Sequence, residues 1–266
     1  MYRDFYGLQE PPFSKTPDPR FLYPGKAYEE ALARLQYAVE EREAMVLTGE
    51  IGCGKTMLTR ALMDSLGSGY RVVLILNPRL TANQFLRTVA RRMGVEPRSR
   101  QKDDIIEAVH GRVYEDHEDG VTPVIIIDEA QLIPGKDTFD EIRLLTNFQL
   151  DSSNLLSLVF VAQPDILRRL EHKAYAPLRQ RIGIFYHLRP LSGDEVSEYI
   201  EHRLRVSGRK ERLFTDEAVD LIHRHSGGIP RLINGIASSA LLDAFSNESR
   251  LVDETHVMDA VKELGL

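Results

Sequence analysis

The 266-residue sequence predicts an α/β fold, a five-stranded parallel sheet sheathed by helices and followed by an all-helical C-terminal segment. Three observations carry this. Apolar, strand-like runs alternate with helical patterns as far as Pro190; beyond it the strands stop; and the first run leads directly into a glycine-rich loop that opens a helix.

In order along the chain, residues 1–26 hold five of the 13 prolines (Pro11, Pro12, Pro17, Pro19 and Pro24) and six aromatics. This reads as an extended segment pinned by aromatic contacts rather than as helix. Tyr28, Leu32, Leu35 and Val39 then recur at helical spacing and predict an amphipathic helix over 27–41. The strand AMVLTG follows at 44–49. RVVLIL at 71–76 precedes a helix opened by the capping box Thr81-Ala-Asn-Gln84, and VIIID at 124–128 precedes another helical stretch. The acidic run EDHED at 115–119 reads as an exposed loop before that strand. LLSLVFVA at 155–162 and IFYHL at 184–188 complete the sheet, and continuous apolar strands between helices indicate parallel pairing with both faces covered. A second capping box, Ser192-Gly-Asp-Glu195, starts the first of about four helical patterns, the others near 215–225, 229–245 and 253–264. The expected organisation is an N-terminal segment (1–26), an α/β domain (27–190) and a helical domain (191–266).

Composition sets a class and no function. Hydrophobic residues at 42% and charged residues at 28% exclude wholesale disorder. The longest apolar runs fall well short of the ~18 to 20 residues that span a bilayer, and the N-terminus lacks the pattern of a secretory signal. One cysteine excludes an internal disulfide, and a cytoplasmic protein is the expectation. A net charge of -6 and a pI near 5.8 argue against a globally basic nucleic-acid binder and leave local patches open.

The chemistry is written first in GEIGCGKT, Gly49-Glu50-Ile51-Gly52-Cys53-Gly54-Lys55-Thr56, which satisfies GxxxxGK[ST] between a strand and an apolar-periodic helix running on from Met57. Only residues without a Cβ let a loop wrap tightly enough for its N–H groups to point inward at phosphates, hence Gly49, Gly52 and Gly54. Lys55 is expected to reach the β- and γ-phosphates and Thr56 to ligate magnesium, while the helix terminus adds its positive end. Asp128 and Glu129 supply the second half. An acidic pair at the end of a buried strand is costly without a cation or bonded water. Asp128 therefore reads as the magnesium residue and Glu129 as the group that polarises an attacking water. That glutamate favours a water-attacking NTPase over a small-molecule kinase. The Asn-Lys-x-Asp guanine motif is absent.

With the helical C-terminal region and GIPR at 228–231, these motifs resemble the AAA+ ATPases. FYGLQEPPFSKTPDPRFLY at 5–23, EALARLQYAV at 30–39 and LTGEIGCGKT resemble in particular the ExeA (GspA) family, general secretion pathway protein A. Transposition ATPases of the TniB and TnsC type are related. The resemblance implies a sheet order 5-1-4-3-2, a helical lid closing over ATP, and a ring or helical homo-oligomer that serves a secretion or transposition partner. It also implies roles for single residues. Gln163 occupies the sensor 1 position, the alternative being a cap for the helix at Pro164. Arg231 matches the sensor 2 arginine. Arg181 is the expected arginine finger, with Arg179 in reserve. Tyr199, Ile200 and the segment 13–21 are candidates to enclose adenine or to pack as ordinary core. Full-length members of that family continue into a membrane span and a peptidoglycan-binding domain. The sequence ends at Leu266 without either, and a freestanding ATPase that assembles on a partner or on DNA fits this length as well as a secretion ATPase does.

Weaker signals remain. Arg87, Arg91, Arg92, Arg98, Arg100 and Lys102 face one acid, Glu96, and read either as a DNA-tracking stripe in an oligomer's channel or as a solvated face. Cys53 is either a small tolerated residue or a thiol with a lowered pKa beside Lys55. His223 and His225 lack ligand spacing, and no metal beyond magnesium is expected.

Overall fold

The structure is a computed structural model that describes residues 1–14, 16–150 and 153–266; Lys15, inside the proline-rich segment, lies outside the described residues. The chain forms two compact units, one of residues 29–49 and 59–188, the other of residues 1–28, 50–58 and 189–266.

The first of these units is built on five parallel strands, β1 (Ala44–Gly49), β2 (Tyr70–Ile75), β3 (Thr122–Ile127), β4 (Ser157–Ala162) and β5 (Ile182–Leu188), in the spatial order β2-β3-β4-β1-β5. This is the order 5-1-4-3-2 expected from the resemblance. β1, β3 and β4 occupy the interior of the sheet and are buried at every position, which is why they read as unbroken apolar runs. The register brings the carboxyl ends together, with Ile75 opposite Ile127, Ile127 opposite Phe160, Ala162 opposite Thr48, and Gly49 opposite Leu188. A Cβ on Gly49 would lie 2.8 Å from the Leu188 carbonyl oxygen, so this strand end tolerates only glycine.

Helices α4 (Ala82–Arg92), α5 (Lys102–Glu118) and α6 (Lys136–Leu145) bury Phe85, Leu86, Val89, Ile105, Val109, Phe139 and Ile142 in one core with the strands. Thr81 and Gln84 form the expected reciprocal cap of α4. The EDHED expectation fails. Helix α5 runs through it to Glu118, because Asp116 continues the buried stripe of Ile105, Val109 and Val113. Asp116 is fully buried; Arg71 donates to both its oxygens at 2.7 and 2.9 Å, and Arg112 lies 2.9 Å away. Paired in this way, the carboxylate carries a cost that burial alone would make prohibitive.

The other unit joins the N-terminal segment, the phosphate loop and the C-terminal helices α9 (Gly193–Val206), α10 (Asp216–Ser226), α11 (Pro230–Ser246) and α12 (Glu254–Leu264). Ser192 and Glu195 cap α9 as expected. The N-terminal segment departs from a wholly extended course. Tyr2–Tyr6 form a short helix, α1, closed by Gly7 in the left-handed region, because all the prolines lie beyond it. Its aromatic anchoring holds: Phe5 packs edge-on against Phe245, Phe13 against Phe214, and the Tyr6 hydroxyl donates to the Ser249 carbonyl at 2.9 Å. The buried Arg203 donates to the Pro12 carbonyl and stacks over Phe21.

Candidate functional site

Residues 50–54 leave β1 and enter α3 (Lys55–Ser65) through two glycines in the left-handed region, Gly52 at φ 89° and Gly54 at φ 94°. Both need glycine for conformation and for space. A Cβ on Gly52 would come within 2.7 Å of the Arg231 Cβ, and one on Gly54 within 3.2 Å of the Tyr28 ring. The Lys55 ammonium is buried and spans the loop to donate to the Glu50 carbonyl at 3.0 Å. Pro230 begins α11, and the amide of the next residue, Arg231, donates to the Gly52 carbonyl at 3.2 Å. Within this unit, then, Gly52 and Arg231 are adjacent. Tyr28, whose ring the sequence assigned only to a helical stripe, reaches the loop as well: its buried hydroxyl donates to the Cys53 carbonyl at 2.7 Å. Burial pushes that phenol well above its ordinary pKa, so it remains a protonated donor.

Cys53 departs from the reactive reading. Its side chain is buried, and burial pushes the thiol above its usual value despite the nearby Lys55 charge. Tyr199 and Ile200 are core residues. The Tyr199 hydroxyl donates to Asn234 at 3.0 Å and accepts from Arg203 at 2.9 Å, which occupies the polar atom it would offer a ligand.

At the carboxyl edge of the sheet, the Asp128 carboxylate accepts from the Glu129 amide at 2.9 Å, and Glu129 sits at φ 53°, a left-handed conformation rare for a side-chain-bearing residue. Two amides converge on the Glu129 carboxylate: Nε2 of Gln131 donates to Oε2, and Nε2 of Gln163 lies 3.4 Å from the same oxygen. Gln131 ties the pair together, since its Oε1 accepts from the Gln163 backbone N–H at 3.0 Å. The side chain of Gln163 thus faces Glu129, whereas no bond from it caps the helix α7 (Asp165–Glu171). Arg169 of α7 donates to the Ile133 carbonyl and stacks over Phe139, fixing the turn that carries Gln131. The sequence reading missed Gln131. The available signal was a polar residue three positions after Asp128, which names no partner.

Arg179 and Arg181 lie at the opposite, amino edge of the sheet, before β5. Arg179 stacks over Phe185 at 5.4 Å, while Arg181 borders a cavity of about 190 Å³ with Arg42, Glu43 and Phe148. Of the basic stretch, Lys102 is committed to the nearly buried Glu141 at 2.7 Å. Arg91, Arg92, Arg98 and Arg100 are exposed and make no ion pair among the described residues. Among the described residues no cluster of His, Cys, Asp and Glu could hold a metal, and no helix is long and apolar enough to cross a membrane.

The glycine loop fits a nucleotide phosphate: its two left-handed glycines form a cradle that a Cβ would fill, and the buried Lys55 charge lies against it. Thr56 and Asp128 are each hard oxygen donors of the kind magnesium takes.

Comparison with known proteins gives the same class. A family model described as AAA domain matches residues 38–170. General secretion pathway protein A of Aeromonas hydrophila is 38% identical over 271 aligned positions, covering all of this chain and 49% of that protein, so the chain spans about half the length of this relative. Among solved structures, the ORC2 protein of Aeropyrum pernix has a TM-score of 0.70 at 18% identity over 96% of this chain and 72% of that one. The RuvB Holliday junction branch migration motor of Thermotoga maritima has a TM-score of 0.62 at 20% identity over 92% and 73%. At such identities these two show the fold alone. The chain belongs to the AAA domain family, and it is similar along its whole length to general secretion pathway protein A.

Proposed function

We propose that this chain is an ATPase that binds ATP with magnesium, oligomerises, and uses hydrolysis to assemble or remodel a partner complex of the secretion type. The observation that carries the reading is the Glu129 carboxylate, held by the Gln131 and Gln163 amides two residues beyond β3, at the sheet edge from which β1 enters the glycine loop. A carboxylate so oriented accepts a proton from an attacking water, while the amides fix its position. Residues 49–57 cradle the polyphosphate through backbone N–H groups, with Lys55 adding charge. Thr56 and Asp128 hold magnesium, which neutralises phosphate charge when bound. Gln163 and Arg231 act as the two nucleotide sensors, and the division into segment 1–26, α/β domain 27–190 and lid 191–266 follows from the same reading. Its test is a pair of variants. Lys55→Ala is expected to lose Mg-ATP binding, and Glu129→Gln to keep binding while losing hydrolysis by about 10²-fold or more. Wild-type turnover in Glu129→Gln overturns the assignment of the base.

Arg181 is proposed to complete the site of a neighbouring subunit, since it lies at the sheet edge opposite the glycine loop's strand end. Mixing Arg181→Ala with Lys55→Ala subunits should restore turnover at complementary junctions; verified mixed oligomers without recovery refute the role.

The exposed Arg91, Arg92, Arg98 and Arg100, without an ion pair among the described residues, favour a second reading, an ATP-dependent DNA-binding regulator of transposition type. Assembled protein should then bind duplex DNA with steep salt dependence, and replacing Arg91, Arg92, Arg98 and Arg100 by Glu should abolish binding. Lack of DNA binding by ATP-assembled protein leaves the protein partner alone.

A further inference from the structure

We infer that Tyr28 is a positioning residue of the phosphate loop, which turns the Gly54 N–H toward bound phosphate by holding the Cys53 carbonyl on the other side of the same peptide plane. The inference rests on the ATP-binding reading above and assigns a residue outside its motifs.

The argument starts from the peptide group. A trans peptide is planar, with its C=O and N–H pointing in opposite directions, so whatever fixes one direction fixes the other. The peptide between Cys53 and Gly54 is caught at its oxygen by the Tyr28 hydroxyl, a 2.7 Å bond between groups that are both buried. Its other end, the Gly54 N–H, makes no hydrogen bond among the described residues. Gly54 is partly exposed, so this donor is open to an acceptor from outside the chain. Gly54 is also where the backbone has most freedom to turn: at φ 94° without a Cβ, nothing intrinsic holds the plane in one orientation. The neighbouring loop amide, that of Cys53, is already engaged with the Glu50 carbonyl at 3.2 Å, so the loop's own bonds do not fix the next peptide. Tyr28 does so from outside, and its ring closes the space beside Gly54, with Cε1 and the hydroxyl 3.2 and 3.5 Å from where a Cβ would stand.

Tyr28 is itself held from the N-terminal segment. Its ring stacks edge-on against Tyr23 at 6.4 Å. Tyr23 in turn packs edge-on against Tyr199 at 5.9 Å and bonds the Glu198 carboxylate of α9. The phenol is thus fixed by packing as well as by its bond, the condition for aiming a flexible loop.

Tyr28→Phe keeps the ring and removes only the hydroxyl. Mg-ATP and Mg-ADP should bind about five- to tenfold more weakly to this variant, the size expected for one buried hydrogen bond, with KM for ATP rising by the same factor. Adenosine, which offers no phosphate, should bind wild type and variant alike. Tyr28→Leu, if less stable, should still show the same selective loss at temperatures where both variants are folded by circular dichroism. Affinity for ATP within twofold of wild type, or an equal loss for adenosine and ATP, overturns the role of Tyr28. A wild-type chain without affinity for Mg-ATP overturns the ATP-binding reading and this inference with it, whereas wild-type binding that Lys55→Ala abolishes and Tyr28→Phe spares overturns this inference alone.

Discussion

The Arg231 amide donates to the Gly52 carbonyl at 3.2 Å, and a Cβ on Gly52 would stand 2.7 Å from the Arg231 Cβ. The start of α11 therefore rests on the phosphate loop with no room for a side chain between them. Both contacts are backbone-level, so neither yields to a rotamer change.

Gly52→Ala combines this clash with a left-handed φ. The expected cost is about 1 to 3 kcal/mol in chemical denaturation, with ATP affinity lowered at least tenfold by calorimetry. Wild-type affinity would mean that the loop moves away from Arg231 without consequence.

Gln131→Ala removes one of the two amides on Glu129 and the acceptor of the Gln163 N–H. Turnover should fall roughly tenfold or more, of the order found when an oriented hydrogen bond at a reacting group is lost, while the ATP dissociation constant changes by less than about threefold. Single-turnover and binding measurements separate the two. An unchanged chemical step would show that Gln163 alone orients the carboxylate.

Asp116→Ala strands the Arg71 and Arg112 guanidinium groups without their shared buried carboxylate. Breaking such a pair costs on the order of 3 to 5 kcal/mol; the partial exposure of both arginines places the expectation at the lower end. A denaturation midpoint equal to wild type would show that the two arginines find water at no cost.

Glu195 supplies the pH dependence. Hydrogen bonding from Arg189 holds its carboxyl down at about 2, with the Ser192 cap adding to the effect. A carboxylate with a lowered folded pKa stabilises the protein above its unfolded value, near 4.5, and that contribution is lost as pH falls toward about 2. Because Arg189 is half exposed, solvent screening reduces the effect to about 1 to 2 kcal/mol. Glu195→Gln should therefore lose stability at pH 7 and show a smaller drop than wild type between pH 6 and pH 3. Parallel stability curves for the two proteins would rule out the contribution.

Whatever is local or periodic could be read from the residues alone. The strands β1, β3 and β4 were legible because interior parallel strands are apolar at every position, and both capping boxes because each is closed within four residues. The loop was legible because Gly52 and Gly54 answer to a conformation that few other residues adopt. The tertiary structure decided the long-range partners. The Gln131 to Gln163 bond joins residues 32 apart, and the Tyr28 to Cys53 bond joins residues 25 apart. A glutamine or a tyrosine announces a polar group without naming its partner, since the fold alone brings such groups within 3 Å. EDHED shows the same division. Its charges suggested solvent, but the helical phase set by Ile105, Val109 and Val113 turns Asp116 inward, where Arg112 of the same helix and Arg71, brought from β2 by the fold, together pair the carboxylate.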